Sequence, residues 1–127
     1  EGIRNYFKFK KNISNENLSK CINKSWITIC TSSKFKLVLG KYMETSMSGS
    51  VICGDLPEDG KDTWKGNMIE INENMTDDQI INIISKYLDD KNELNKIINN
   101  CIKKTEKFYL KNFSKKLYQK ITEKVNS

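Results

Sequence analysis

The sequence predicts an α/β fold in which a short parallel sheet carries helices on both of its faces. Two observations predict this class. Short apolar or β-branched runs alternate along the chain with longer segments of helical periodicity. Two of the runs, residues 26–30 and 51–53, are short and consist only of β-branched or apolar residues, which is typical of strands buried on both faces. The 127 residues suffice for one domain, which we expect to span residues 1–127 and to bury roughly two-thirds of its unfolded surface.

The first third of the chain predicts two strands and the helix between them. Residues 6–10 alternate aromatic side chains with lysines, as a half-buried strand does. Ser14 is a suitable N-cap for a helix that runs through Lys24. Residues 26–30 form the second strand, and we expect its Trp26 to lie in the core.

The middle of the chain continues this alternation. Polar residues 31–33 form a loop, and the next helix is expected to begin between residues 37 and 41 and to stop at Gly49. Residues 51–53 form an interior strand. Residues 55–67 predict turns and a polar loop, in which Trp64 is either a core side chain or a ring that stacks on a ligand. Residues 68–71 form the last strand.

Three helices are expected to close the fold. A capping box at residues 76–79 begins a helix that runs through Leu88. The next helix begins near Lys91. The last has Ser114 as its N-cap and carries one apolar face, formed by Leu117, Tyr118, Ile121 and Val125.

Parallel strands joined by right-handed connections have their following loops along one edge of the sheet. These loops are residues 31–39, 54–67 and 72–75. Because ligands of open α/β sheets bind at the carboxyl ends of the strands, we expect a binding site at this edge.

The composition excludes several classes of chemistry. The chain has no histidine, which excludes histidine-based triads, a histidine general base, and zinc or haem held by histidine. The cysteines form no C-x-x-C pair, so we expect buried thiols in a reducing compartment and no metal site. With no segment that predicts a membrane span or an N-terminal secretory signal, we expect a cytoplasmic protein. The cysteines are Cys21, Cys30, Cys53 and Cys101.

The positive charge lies at the C-terminal end. The net charge is +6, and residues 91–127 carry ten lysines against three glutamates. We interpret these lysines as solvent-exposed helix residues. A single arginine and the lack of an RNA-binding signature argue against a nucleic-acid partner, whereas a weak contact with an anionic surface remains open.

A polar loop that leads into a helix N-terminus is suited to phosphate, because it supplies backbone N–H groups and a positive dipole end. Lys34, Lys36 and Lys41 add positive charge there. Glu44 follows Lys41 by one helical turn, where its carboxylate could accept two hydrogen bonds from a ribose. The alternative is a solvated helix face on which Glu44 and Lys41 form an ordinary pair.

The stretch E-T-S-M-S-G at residues 44–49, a short apolar strand, and D-L-P-E at residues 55–58 together resemble a known signature. It is that of the C-terminal domain of GT-B glycosyltransferases of the "glycosyl transferases group 1" type. The preceding G-K-Y-x-E at residues 40–44 is similar to the spore-coat-like branch of that family.

The resemblance implies a Rossmann-like three-layer αβα domain that binds a nucleoside-diphosphate sugar as donor, without a metal or other cofactor. Glu44 matches the glutamate that binds the donor ribose. The loop before it matches the segment that contacts the diphosphate and the sugar. With Lys41, the residues implied in that contact are Thr31, Ser32, Ser33, Lys34, Phe35, Lys36 and Leu37.

The sequence departs from the family pattern in two places. Lys36 stands where the retaining branch has a second glutamate, and residues 49–53 lack the usual proline. The resemblance covers only the later part of the C-terminal domain. We therefore expect a partial domain, with no catalytic residue of its own, that needs an N-terminal Rossmann-like domain or a protein partner to transfer sugar. The alternative is a non-catalytic Rossmann-like module that binds a nucleotide or another protein.

Overall fold

The computed structural model describes residues 13–127. These residues form a small Rossmann-like αβα arrangement with a short parallel sheet and six α-helices, which confirms the predicted fold class. The strand predicted at residues 6–10 lies outside the described residues.

The sheet contains β1 (Ile27–Cys30), β2 (Val51–Gly54) and β3 (Ile69–Glu70), in that spatial order and all parallel. The central strand β2 pairs with both neighbours: its Cys53 lies opposite Ile29 on one side and Ile69 on the other. All four β2 residues are buried, as expected of a strand covered on both faces.

Five of the six helices in residues 13–127 follow the predicted order, and the one-turn helix at Lys61–Trp64 was not predicted. The helices are α1 (Asn15–Asn23), α2 (Gly40–Met47), α3 (Lys61–Trp64), α4 (Asp77–Asp89), α5 (Lys91–Thr105) and α6 (Leu110–Val125). Ser14 caps α1 by accepting a hydrogen bond from the Asn17 N–H. The Thr76–Gln79 capping box is formed in both directions at α4. Gly49, just past α2, has a φ of +76°, the left-handed geometry that ends helices and favours glycine.

The core lies where α2 and α5 pack against β2, and α3 packs against α5 and, through Trp64, against α2. The Tyr42 and Trp64 rings meet edge to face, with their centroids 5.5 Å apart. The Trp64 indole N–H donates to the Ser46 hydroxyl at 2.9 Å, so this buried ring leaves no polar atom unsatisfied. Trp64 is therefore a core residue and is not available for ligand stacking.

The segment predicted as a loop at residues 55–67 contains helical structure. It includes a 3-10 turn at Glu58–Gly60 and the one-turn helix α3. Thr63 and Trp64 are buried, and this burial fixes the turn: Trp64 packs against α2, and α3 packs against α5. Because the neighbouring residues are polar, the sequence gives no pattern that predicts this packing.

Three of the four cysteines confirm the interpretation as buried thiols. Cys30, Cys53 and Cys101 are buried, and Cys21 is half-buried. The Cys101 thiol donates to the Asn67 carbonyl, with a sulfur–oxygen distance of 3.0 Å. Burial raises the pKa of Cys53 to about 12 and that of Cys101 to about 11, so both remain protonated at neutral pH.

Two predicted details are wrong. Trp26 precedes β1 and is 39% exposed; the Lys91 ammonium lies 4.4 Å from its ring centroid in a cation–π contact. Ser114 is not an N-cap, because α6 begins at Leu110 after Tyr109. The Ser114 hydroxyl instead donates to the Lys111 carbonyl within the helix, an alternative that serine has in helix interiors.

Among residues 13–127, no helix combines the length and the apolar character needed to cross a membrane.

Gly54 allows a close backbone approach between β1 and β2. A Cβ atom at this position would lie 1.7 Å from the Cys30 carbonyl oxygen and 2.8 Å from the carbonyl carbon. We expect Gly54→Ala to lower the free energy of unfolding by at least about 2 kcal/mol, because backbone cannot move aside as a flexible side chain can. Urea unfolding monitored by circular dichroism measures this loss.

Gly40→Ala is the matched control, since a Cβ there meets no atom within 4 Å. Equal stability losses in the two variants would contradict the close approach.

Candidate functional site

A cleft lies at the carboxyl edge of the sheet, where the three strands end. It has a volume of about 570 Å³ and is bounded by the segments that follow β1, β2 and β3. This is the edge that parallel connectivity predicts for a ligand site. The residues that line it are Ile29, Cys30, Thr31, Ser32, Ser33, Lys34, Lys36, Gly54, Asp55, Ile71, Asn72 and Glu73.

Asp55 joins the ends of β1 and β2. Its carboxylate accepts hydrogen bonds from the Ser32 backbone N–H, at 2.8 Å, and from the Ser32 hydroxyl. Its main-chain carbonyl accepts from the buried Tyr42 hydroxyl at 2.7 Å. The residue after β2 therefore holds both the loop after β1 and the helix α2.

The charge of Asp55 is stabilised in place. Partial burial acts to raise its pKa, but the two hydrogen bonds from Ser32 and the nearby Lys36 outweigh burial, and the pKa lies below the ordinary value. The pKa of Tyr42 is raised, first by burial and then by the Asp55 charge, so its hydroxyl stays a donor.

The loop between β1 and α2 is held by hydrogen bonds along its length. Within it, the Ser33 N–H donates to the Leu37 carbonyl, and the Ser33 hydroxyl accepts from the Leu37 N–H at 3.0 Å. Lys36 has a φ of +59°, which is unusual for a residue with a side chain. Its carbonyl accepts from the Glu58 N–H at 2.7 Å. The loop is thus pre-organised before any ligand binds.

The structure brings together five of the predicted site residues. Thr31, Ser32, Ser33, Lys34 and Lys36 all line the cleft. The hydroxyls of Thr31 and Ser33 and the ammonium groups of the two lysines can donate hydrogen bonds to phosphate oxygens, whereas the Ser32 hydroxyl already donates to Asp55.

The other four predicted site residues lie outside the cleft lining. Phe35 is 78% exposed and Leu37 is also exposed. Lys41, in the first turn of α2, donates to the Thr31 hydroxyl at 2.9 Å, so this end of α2 adjoins the cleft. Glu44 is exposed on α2, one turn further on.

Three polar cleft residues were not among the predicted site residues. Asp55 directly follows β2, and Asn72 and Glu73 lie just after β3. The sequence feature that could have identified them is their position directly after predicted parallel strands, because the carboxyl ends of such strands meet at one edge of the sheet. Asn72 and Glu73 are exposed and offer amide and carboxylate groups to ligand hydroxyls.

Within residues 13–127, no group of three or more histidine, cysteine, aspartate or glutamate side chains has the arrangement of a metal site. No family model, curated protein or solved structure matches this chain. The resemblance to glycosyltransferases therefore rests on the motif alone.

Asp55→Asn tests the tether between the two strand ends. We expect the substitution to lower the free energy of unfolding by about 1–3 kcal/mol at neutral pH, because it removes the charge from two hydrogen bonds. The pKa of the Asp55 carboxyl is lower in the folded state than in the unfolded state. The wild-type protein is therefore more stable than the variant above the unfolded-state pKa, and it loses this extra stability as pH falls through the folded-state pKa. Urea unfolding at a series of pH values below and above about 4 measures this.

Asp62→Asn, at an exposed position of α3, makes the same charge change and is the control. A wild-type advantage over Asp55→Asn that persists unchanged into strong acid would contradict the role of the Asp55 charge.

Proposed function

We propose that the cleft binds a nucleoside-diphosphate sugar, with the diphosphate beside Lys34 and Lys36. The observation that carries the proposal is the placement of both lysines and three consecutive hydroxyl residues, Thr31, Ser32 and Ser33, on one cleft at the carboxyl edge of a parallel sheet. Charged and neutral donors that converge in a held loop favour a phosphorylated ligand. The motif shared with glycosyltransferases supports the same ligand class.

The ribose is proposed to extend from the cleft along α2 towards Glu44. The contact between Lys41 and Thr31 joins the start of α2 to the cleft wall. Glu44 is one helical turn beyond Lys41, and its exposed carboxylate is accessible to a diol. Asn72 and Glu73, on the segment after β3, are then available to the hydroxyls of the sugar.

Sugar transfer is proposed only in combination with an N-terminal Rossmann-like domain or a partner that supplies the acceptor. In that reaction the lysines would stabilise the charge that develops on the leaving diphosphate, without a metal ion. No residue of this chain is assigned as catalytic.

A cytoplasmic location belongs to the same proposal. Cys30, Cys53 and Cys101 are buried free thiols, which suit a reducing compartment.

Lys34→Gln and Lys36→Gln test the diphosphate site. Each substitution is expected to weaken binding of a nucleoside-diphosphate sugar about tenfold, because a hydrogen bond to a charged group contributes about 1.5–3 kcal/mol. Saturation-transfer NMR across uridine and guanosine diphosphate sugars identifies the ligand, and calorimetry measures the affinities.

Lys86→Gln, on the exposed side of α4, removes the same charge elsewhere and should leave the affinity unchanged. Absence of binding by the wild-type chain to every member of the panel would overturn the proposed function.

Glu44→Ala tests the ribose contact separately. Loss of two hydrogen bonds to a carboxylate should weaken binding of the nucleotide sugar at least tenfold, while inorganic diphosphate, which lacks a ribose, should bind both forms alike. Calorimetry with the two ligands separates these cases. Glu123→Ala, which removes an exposed carboxylate from α6, is the control, and a Glu44→Ala variant that binds like this control would remove Glu44 from the site.

A further inference from the structure

Helix α6 carries an apolar face that no other element of the described chain buries. Its side chains recur at intervals of three and four residues, which places them along one side of the helix. Each is between 48% and 82% exposed. This α6 apolar face consists of Leu110, Phe113, Leu117, Tyr118, Ile121 and Val125.

The rest of the described chain gives α6 little support. All of α6 lies within the described residues, and none of its side chains is buried. It packs against the 3-10 turn Glu106–Phe108 that precedes it. Helices of this length are marginally stable in water unless an amphipathic face is packed. An exposed stripe of six large apolar side chains therefore indicates a surface that binds something.

The charges around the face indicate the chemistry of its partner. The helix carries five lysines and one glutamate. At about 100° per residue, Lys120 lies along one edge of the face and Lys111 lies along the other. Lys124 lies just inside the Lys120 edge, between Phe113 and Leu117. Glu123 is on the opposite, polar side. Long lysine stems can lie beside apolar surface while their ammonium groups reach outward to anions.

We propose that α6 binds the surface of an anionic lipid bilayer, lying in the plane of the interface with its apolar face among the acyl chains and its lysines at the headgroups. A helix with an apolar face, a lysine-rich remainder and low overall hydrophobicity is typical of this binding mode. The extent of α6, Leu110–Val125, and its charges fit a helix that lies on a membrane rather than one that spans it.

Two other occupants fit the observations less well. A second copy of the chain would bring the lysine edges of two helices together, with no acidic residue on the face to offset the repulsion. Nucleic acid would pair with the lysines through phosphate but would leave the six apolar side chains in water.

The test measures cosedimentation of the whole chain with vesicles. We expect binding to vesicles of equal parts phosphatidylserine and phosphatidylcholine, little binding to pure phosphatidylcholine, and loss of binding at high salt. Circular dichroism should report a gain in helicity when anionic vesicles are added, because α6 then acquires a packed face.

Leu117→Asp and Gln119→Asp form a matched pair of variants. Both add one negative charge to α6, but Leu117 belongs to the apolar face and Gln119 lies on the opposite side. Leu117→Asp should weaken vesicle binding at least tenfold more than Gln119→Asp does. Lys120→Gln and Lys124→Gln should each weaken it about fivefold. Since none of the four sites is buried, all four variants should keep the wild-type unfolding midpoint and the wild-type nucleotide affinity.

Three results would overturn the proposal. The first is equal vesicle binding by Leu117→Asp and Gln119→Asp. The second is binding to duplex DNA, insensitive to Leu117→Asp, without binding to vesicles. The third is a dimer in sedimentation that Leu117→Asp dissociates while anionic vesicles have no effect. Nucleotide binding through the cleft is measured independently, so its failure and the failure of this proposal are distinguishable.

Discussion

The close approach of β2 to β1 at Gly54 is the constraint on which the rest of the structure depends. Only a residue without a Cβ can lie against the Cys30 carbonyl, and this approach places Asp55 beside the loop that follows β1. Asp55 then accepts hydrogen bonds from Ser32 through its carboxylate and from Tyr42 through its backbone. Gly54 and Asp55 therefore set the distance between β1 and β2, the position of the loop after β1 and the start of the cleft.

Tyr42 extends this constraint into the core. Its hydroxyl is held at the cleft by the Asp55 carbonyl, and its ring packs on Trp64. Trp64 in turn donates to Ser46 on α2. Stability of the core and geometry of the cleft are therefore coupled through one side chain. A displacement of the Tyr42 ring in the core should also move its hydroxyl at the cleft, and the reverse, because close-packed interiors transmit small displacements.

Most of the sheet and its helices could be predicted from local patterns, and the exceptions have a common cause. Strand β2 and the capping box at Thr76 are encoded within a few neighbouring residues. Whether an apolar side chain is covered depends on residues distant in sequence. Trp26 was expected in the core but lies beneath Lys91 at the surface, and Trp64, in a polar segment, is buried by α2 and α5. Periodicity predicted the apolar side of α6 without revealing that no element within residues 13–127 buries it.

The position of the cleft, at the carboxyl edge of the sheet, was predicted. The residues that line it were only partly predicted, because a loop sequence does not indicate which of its side chains point into the cleft. Lys36 turns through a left-handed backbone conformation fixed by contacts with Ser33 and Glu58. Asp55, Asn72 and Glu73 join the wall because parallel strands end together. The motif directs attention to Glu44 and includes Asp55 without a site role, whereas the geometry places Asp55 in the wall and adds Asn72 and Glu73, which lie outside the motif.

The two basic regions of the molecule differ in how their charge can act. In the cleft, Lys34 and Lys36 share the wall with Asp55 and Glu73, so the local charges nearly cancel and the field at a distance is weak. Binding there must depend on short contacts in a pre-organised loop, which favours selectivity over long-range attraction. Helix α6 carries five lysines and only one glutamate. Its net positive charge attracts anionic surfaces from about a Debye length away. Salt should therefore affect the two regions to different degrees, and this difference is a physical basis for treating the cleft and the helix as separate binding surfaces.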